Sequence, residues 1–155
     1  MIEFFNEKGQ KFGNVQKGMV FNTSFEVGKV DSKGINGGKI YNRDKGGARL
    51  YVGHVLEDGS ILHVKDGMPP HLVSAKGTVS NKERAKILTI GRVEVNADVG
   101  IVYDNNGVKA GEVRNAGEDT KVYGGALMAL LVNIDPKNAP YSHAQKKYKK
   151  PAPPV

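Results

Sequence analysis

Glycine placement is the feature of this sequence that most restricts its fold. Gly occurs 20 times in 155 residues, which is about twice its usual share of roughly 7%. Many of these glycines end short polar stretches that also contain Asp or Asn, such as Asp44-Lys45-Gly46-Gly47 and Asp104-Asn105-Asn106-Gly107. Asp, Asn and Gly tolerate the positive φ angles that tight hairpin turns require. The chain is therefore interrupted too often for a fold built from long helices.

Short apolar runs rich in Val, Ile, Phe and Tyr lie between these turns. Runs of this length and composition are typical of β-strands and are too short for stable helices. The predicted strands are Ile2–Phe5, Met19–Phe21, Lys39–Tyr41, Leu50–Val55, Ile61–Val64, Ile87–Val93 and Ile101–Tyr103.

One tripeptide, Gly-x-Val, recurs along the chain. Its glycines are Gly13, Gly28, Gly53, Gly91 and Gly111. The spacing of 38 between Gly53 and Gly91 is close to two repeats, and Val73-Ser74-Ala75 is a candidate degenerate copy in that gap. A glycine inside a short strand marks either an ordinary bulge or a place where two backbones come close, and the recurrence favours a shared structural role.

The repeat predicts an all-β fold. A lone hairpin is marginally stable in water, whereas several hairpins packed side by side or around an axis bury one apolar stripe per unit. We therefore predict repeated short β-hairpins, about six or seven between residues 1 and 136, packed radially about a pseudo-symmetry axis.

Two segments fit this pattern less well. Ser80-Asn81-Lys82-Glu83 has capping-box spacing and predicts a short helical turn at 80–86. The most apolar run of the chain starts at Gly124-Gly125 and continues to Val132. Its Ala, Leu and Met residues favour a helix, but its length and its flanking Gly and Pro residues favour a buried strand. A strand is the favoured prediction, and the segment 124–134 is predicted to be buried in either form.

The composition changes after Pro136. Residues 137–155 contain four prolines and five lysines with no acidic residue, so we predict a disordered, basic C-terminal tail after a hairpin domain over 1–136. The chain carries a formal net charge of +7, of which the tail contributes +5. The remaining 18 basic and 16 acidic side chains leave +2. The basic character therefore belongs to the tail.

Four blocks occur in a characteristic order: IEFFNEKGQKFGNV, then FNTSFEVGKVDSKG, then GARLYVGHVLEDGSILHV, and last IVYDNNGVKAGEV followed by GGALMALLV. In this order they resemble the bacterial β-flower proteins, in particular the five-fold β-flower family, over roughly residues 1–134. The resemblance implies hairpin petals around a pseudo-rotational axis and a bacterial origin. It supplies no catalytic residues, because the function of that family is uncharacterised. Val73-Ser74-Ala75 departs from the pattern because it lacks the glycine.

The sequence offers little catalytic chemistry. The absence of cysteine excludes a disulfide scaffold, a cysteine nucleophile and a thiolate metal site. The patterns of a serine nucleophile elbow and of a phosphate-binding loop are also missing. His54, His63 and His71 lie within 18 residues, but their spacing fits no metal motif. We therefore expect no cofactor, no metal and no catalytic residue, and the protein is more consistent with a non-enzyme.

His54 stands at the variable position of a Gly-x-Val unit. The other units have Asn14, Lys29, Arg92 and Glu112 there. Because this position accepts polar residues of every kind, we expect His54 to face solvent.

Two segments are candidate binding sites. The loop at 65–72 contains Met68-Pro69-Pro70-His71, whose prolines restrict an exposed loop so that Met68 and His71 are presented to a ligand or partner. The tail combines positive charge with an aromatic ring, which is chemistry that binds nucleic-acid phosphates and stacks a base. The tail residues concerned are Lys146, Lys147, Tyr148, Lys149 and Lys150.

These observations predict a non-enzymatic binding or assembly module, with ligand and partner unknown. Self-association into a homo-oligomer is expected if the hairpins leave free strand edges. The alternative is a nucleic-acid-associated protein that binds through the tail only, and a third hypothesis places a small-ligand pocket or an active site at the axis of the repeats. No apolar run reaches the roughly 20 residues of a membrane span. Because the start has no signal-peptide pattern either, a cytoplasmic location is predicted.

Overall fold

The computed structural model describes residues 1–23, 25–32, 38–43, 49–64, 73, 74, 76, 77, 79 and 87–132. Its strands are β1 (Ile2–Asn6), β2 (Lys11–Gln16), β3 (Met19–Asn22), β4 (Glu26–Asp31), β5 (Lys39–Asn42), β6 (Tyr51–Val55), β7 (Ser60–Val64), β8 (Ile87–Asn96), β9 (Val99–Asp104) and β10 (Lys109–Arg114). Each strand pairs antiparallel with its neighbours in sequence, and β1 pairs with β10. The ten described strands therefore form a closed barrel.

An apolar helix fills the barrel. A 3₁₀ turn at Gly117–Asp119 leads into α1 (Thr120–Ala126), and the chain continues as a π-helical segment at Leu127–Val132. We call Thr120–Val132 the central helix. All of its residues are buried except Lys121, which is exposed, and Val132, which is half-buried. Its apolar side chains join those of the strands in one hydrophobic core.

The favoured prediction of a strand at 124–132 is wrong. Because the barrel is closed, its described strands offer no free edge to which a further strand could add. A segment in the lumen must therefore satisfy its own backbone hydrogen bonds, and a helix does so. Packing requires the glycine pair, because a Cβ on Gly124 would lie 2.6 Å from Val93 Cγ2 and one on Gly125 would lie 2.1 Å from Val55 Cγ2.

Five of the strand pairings contain a register shift next to a Gly-x-Val glycine. In the first, Phe4 pairs with Gly13 while Phe5 pairs with Lys11, which leaves Phe12 as the extra residue. In the other four pairings the extra residue is Val27, Val52, Ile90 or Ala110, again directly before the glycine. These extra residues all pack into the core. Each Gly-x-Val unit therefore follows a β-bulge, which bends the strand around the central helix.

The Gly-x-Val glycines lie where the central helix and the next strand come closest. A Cβ on Gly28 would lie 2.3 Å from the Tyr41 carbonyl oxygen and 2.7 Å from the Leu130 side chain. The same two kinds of contact recur at Gly13 (Phe21 and Leu131), Gly91 (Tyr103 and Met128) and Gly111 (Phe5 and Leu127). Gly53 has more room, since its nearest neighbour, Ile40 Cδ1, would be 3.3 Å away. Four of the five positions thus exclude any side chain.

The two ends of the barrel differ. At one end, which we call the tip end, each odd-numbered strand connects to the following even-numbered strand; the opposite end is the entry end. Gly100, near the start of β9, lies at the entry end and contacts Thr120, where the central helix begins. The central helix therefore runs from the entry end towards the tip end.

Asx side chains close four of the five tip-end connections. Asn6, Asn22, Asn42 and Asp104 end their strands, and each Oδ1 accepts a hydrogen bond of 2.9–3.0 Å from the backbone N–H of the residue that precedes the next strand. The Asx backbone N–H donates in return to the carbonyl of that same residue. The four closing residues are Gln10, Phe25, Leu50 and Val108.

The seven predicted strands are confirmed, with bounds that differ by a few residues at most, and the fold is nearly all β. The expected repeat count is wrong, because the described residues contain ten strands and Val73 and Ser74 are irregular rather than a further copy. The predicted helical turn at 80–86 and the tail at 137–155 lie outside the described residues. No helix within the described ranges is long and apolar enough to cross a membrane.

Candidate functional site on the β6–β7 face

One region of the barrel departs from the pattern of the others. The variable residue of each Gly-x-Val unit pairs with a residue on the next strand around the barrel. That partner is aromatic in four units, whereas the partner of His54 is Leu62. The aromatic residues in the other four cases are Phe5, Phe21, Tyr41 and Tyr103. His63, which pairs with Gly53, occupies the register position that Asn or Asp has elsewhere. A connection of 22 residues, 65–86, replaces the short Asx-closed turn between β7 and β8.

The outer surface of β6 and β7, which we call the β6–β7 face, is covered by part of this connection. Tyr51, Leu62, Val64 and Val73 form a second hydrophobic cluster, separate from the core inside the barrel. Val73 is fully buried although it lies outside any strand. The connection is therefore packed on the barrel wall at Val73.

A buried Tyr–His pair lies in the same place. The Tyr51 hydroxyl is 2.8 Å from His54 Nδ1, and the two rings meet edge to face at 6.2 Å between centroids. His54 has no exposed surface. Burial, together with the nearby positive charge of Lys39, lowers the pKa of His54 from 6.5 to about 4, although a hydrogen bond with the Ser74 backbone acts in the opposite direction. His54 is therefore neutral near pH 7.

Both partners of this hydrogen bond are uncharged near pH 7. Burial raises the pKa of the Tyr51 hydroxyl, so the phenol keeps its proton. The bond between Tyr51 and His54 therefore joins two neutral groups on β6. The same face of the sheet is where the β7–β8 connection packs at Val73.

Lys39 and Tyr41 border this pair on β5. Lys39 stands directly opposite His54, and Tyr41 stands opposite Tyr51 with 5.9 Å between ring centroids. Burial lowers the pKa of Lys39, partly offset by Asp31, and burial raises the pKa of Tyr41. Desolvation is therefore the common property of these polar groups.

The geometry favours anchoring over catalysis. A general base must come within hydrogen-bond reach of the proton that it removes, whereas His54 is enclosed on every side. Within the described ranges, His, Asp and Glu side chains form no group of three that could hold a metal ion. The β6–β7 face therefore anchors the connection at Val73.

The prediction that His54 faces solvent is wrong. At the equivalent position of the other units the side chains do reach solvent. Lys29 and Arg92 are exposed there, and Asn14 and Glu112 are half-exposed. His54 differs because Val73 and Ser74 cover its strand. Sequence periodicity predicts on which face of the sheet a side chain lies. It does not predict whether a segment distant in sequence covers that face.

The structure also bears on the other sequence-derived sites. Met68 and His71 lie outside the described residues, and so do Lys146, Lys147, Tyr148, Lys149 and Lys150. The axis is filled by apolar side chains of the central helix, so the polar pocket expected there by the third hypothesis has no place among the described residues. The described strands form a closed sheet with no free edge, and free edges were the feature from which self-association was predicted.

Sequence reasoning missed Tyr51 and Val73 as parts of this site. Two signals in the sequence point to the region: Leu62-His63 breaks the aromatic–Asx pair that ends the other odd strands, and the Gly53-to-Gly91 spacing is the longest. Comparison of the chain with protein-family models, with curated proteins and with solved structures finds no match.

Proposed function

We propose that this protein is a non-enzymatic binding module whose binding segment is the β7–β8 connection, with Met68 and His71 as contact residues. The observation that carries the proposal is that this long connection is anchored at Val73 by a buried cluster beside the Tyr51–His54 pair. In folds built from repeated units, an insertion in one unit is often the binding surface, because the other units supply the rigid support.

The filled axis supports binding at the surface over chemistry in the lumen. Small-ligand sites are concave and combine apolar walls with a few converging polar groups. The described lumen instead contains Leu, Met, Ala and Val side chains packed around the central helix. The closed sheet also favours binding through a loop over association edge to edge.

Selection from a phage-displayed peptide library tests this function. Peptides are selected on the immobilised full chain and counter-selected on a Met68→Ser/His71→Ser variant. The proposal expects peptides that bind the parent chain at least tenfold more tightly than the variant, with equal thermal stability of the two proteins. Recovered peptides that bind both proteins equally, or repeated selections that yield none, contradict it.

A second candidate function, nucleic-acid binding through the tail, is favoured by the charge distribution. The five lysines at 137–155 account for +5 of the net charge of +7. On the barrel, by contrast, several basic side chains are already paired: Arg92 with Glu94, Lys109 and Arg114 with Glu112, and Arg49 with Glu26. Lysines that have no acidic neighbour in sequence are the ones free to replace counterions on a phosphate backbone.

We also propose that the ten strands are five copies of one hairpin around a pseudo-five-fold axis, as the resemblance to the five-fold β-flower family implies. Three features support this. A bulge precedes each Gly-x-Val glycine. Four tip-end turns share the same Asx hydrogen bonds. In three units the valine N–H donates to a glycine carbonyl at the entry end: Val30 to Gly18, Val55 to Gly38 and Val93 to Gly59.

A further inference from the structure

His54 is buried on the outside of the barrel and not in its core. The next residue, Val55, packs in the core, so His54 points to the outer face of β6. It nevertheless has no exposed surface. Two described residues of the β7–β8 connection, Val73 and Val79, pack in the separate cluster on this face, together with Tyr51. The covering of His54 is therefore distinct from the packing inside the barrel.

Among the described residues, the charged group that acts on His54 is Lys39. Lys39 stands directly opposite on β5, is itself only 9% exposed and lowers the pKa of His54 by its positive charge. Asp31 on β4 pairs with Lys39 from the other side. Tyr41, also on β5, is a phenol whose pKa burial raises. A charged imidazole at His54 would thus meet a buried ammonium group across the strand pair.

The remaining described neighbours of His54 offer it no negative charge near pH 7. Burial raises the pKa of the Tyr51 phenol on β6. Leu62, which pairs with His54 on β7, and Val73 of the connection are apolar. His63 lies next to Leu62 on β7 and so points to the opposite face of the sheet. Protonated His54 is therefore strongly disfavoured while this face is covered.

Two routes bring a protonated His54 into contact with water. Departure of Val73 and Val79 from the face exposes the small outer cluster. Unfolding of the barrel exposes the central helix and the larger core around it as well. Because the cost of exposure grows with the apolar area, the local route requires less free energy. Protonation therefore favours local opening before it favours unfolding.

We propose that acid releases Val73 and Val79 from the β6–β7 face by protonating His54, while the barrel stays closed. The pKa of His54 is about 4 when covered and 6.5 ordinarily, so lower pH favours the released state, in which the imidazole is hydrated. The released fraction is expected to rise by about 50-fold from pH 7 to pH 4.5. A loss of binding on release rests on the function proposed above, but the release itself is measured without a ligand, so the two proposals fail separately.

The absence of cysteine from the chain lets a single introduced thiol report the release. Val73→Cys places it in the outer cluster and Val102→Cys in the barrel core, both at fully buried positions. Labelling rates with a pyridyl disulfide are divided by those of a free thiol at the same pH. Val73→Cys is expected to react at least tenfold faster at pH 4.5 than at pH 7, and Val102→Cys no faster. Acceleration of both, or of neither, overturns the proposal.

His54→Gln identifies the group responsible. Because glutamine does not titrate, the His54→Gln/Val73→Cys variant is expected to give the same corrected labelling rate at pH 7 and pH 4.5. An acceleration equal to that of Val73→Cys alone would assign the release to another group and overturn the proposal.

Hydrogen exchange of the parent chain, followed by mass spectrometry, covers the case in which a variant does not fold. Exchange in peptides that contain Val73 and Val79 is compared with exchange in β9 peptides at the same pH, which cancels the intrinsic pH dependence. The ratio is expected to rise at least tenfold from pH 7 to pH 4.5. A constant ratio overturns the proposal.

Discussion

Single atoms decide which residues this barrel accepts at the Gly-x-Val positions. At four of the five glycines an added Cβ would lie only 2.3–2.6 Å from a carbonyl oxygen of the next strand, a distance that real Cβ atoms do not show. A side chain of the central helix crowds the same space at 2.7–3.1 Å. The cause is the bulge, which brings an extra apolar residue and the glycine towards the same core. Glycine is needed here because the backbone of the next strand approaches this closely, and the central helix adds to the crowding from inside the barrel.

Gly28→Ala and Gly53→Ala form a matched pair of variants. The added methyl group would meet Tyr41 O at 2.3 Å in the first and Ile40 Cδ1 at 3.3 Å in the second. Gly28→Ala is expected to lower the free energy of unfolding by about 3 kcal/mol, and Gly53→Ala by less than about 1 kcal/mol. Urea unfolding followed by circular dichroism measures both. Equal losses would show that the crowding at Gly28 is easily relieved.

The buried His54 makes stability depend on pH. Its pKa is about 4 in the folded protein and 6.5 ordinarily, so between these values the unfolded chain binds a proton that the folded chain does not. Stability therefore falls as the pH is lowered from about 6.5 to about 4, by a total of roughly 3 kcal/mol. Urea unfolding at a series of pH values is the measurement. His54→Gln is expected to remove this part of the pH dependence, and a variant with the slope of the parent chain would contradict the assignment to His54.

At the scale of elements, the central helix and the strands determine each other. A bulge directly before each Gly-x-Val glycine bends its strand around the central helix. The helix fits inside the barrel because these glycines have no side chains. The helix also has glycines where the strands come close. Side chains of Val93 and Val55 on the strands occupy the space beside Gly124 and Gly125. The hydrophobic core is therefore a set of matched gaps and side chains.

Gly125→Ala separates helix propensity from packing. Propensity alone predicts that alanine stabilises a helix by about 1 kcal/mol relative to glycine. Because the methyl group would lie 2.1 Å from Val55 Cγ2, we expect a loss of about 3 kcal/mol in the free energy of unfolding instead. Lys121→Ala on the exposed side of the same helix is the control, with an expected change within about 0.5 kcal/mol. Stabilisation by Gly125→Ala would contradict the described packing.

At the scale of the whole molecule, closure of the sheet separates the parts that hold the fold together from the parts that are free to bind. The pairing of β1 with β10 leaves no edge among the described strands, and the central helix leaves no polar lumen. Our two proposed functions therefore assign recognition to the β7–β8 connection and to the tail. Because these are different segments of the chain, the two proposals are separable by deletion.

Deletion of residues 137–155 tests the tail. Binding of the full chain to a fluorescent single-stranded oligonucleotide, measured by anisotropy, is expected to weaken with salt. The slope of log K against log salt is expected to reach about −3.5 if all five lysines contact phosphates. The deleted chain is expected to lose this binding while its thermal unfolding is unchanged. Equal binding by the two chains would rule out the tail as the nucleic-acid site.

The sequence by itself determined the local features of this protein. Turn residues and short apolar runs act within a few positions, so the seven predicted strands and the five glycines of the repeat could be identified from the chain alone. Tertiary structure decided the features that depend on distant contacts. The apolar run at 124–132 is a helix because a closed barrel surrounds it, and His54 is buried because Val73 and Ser74, some 20 residues further along, cover it. Periodicity encodes a face of a strand, but only the folded chain determines what lies against that face.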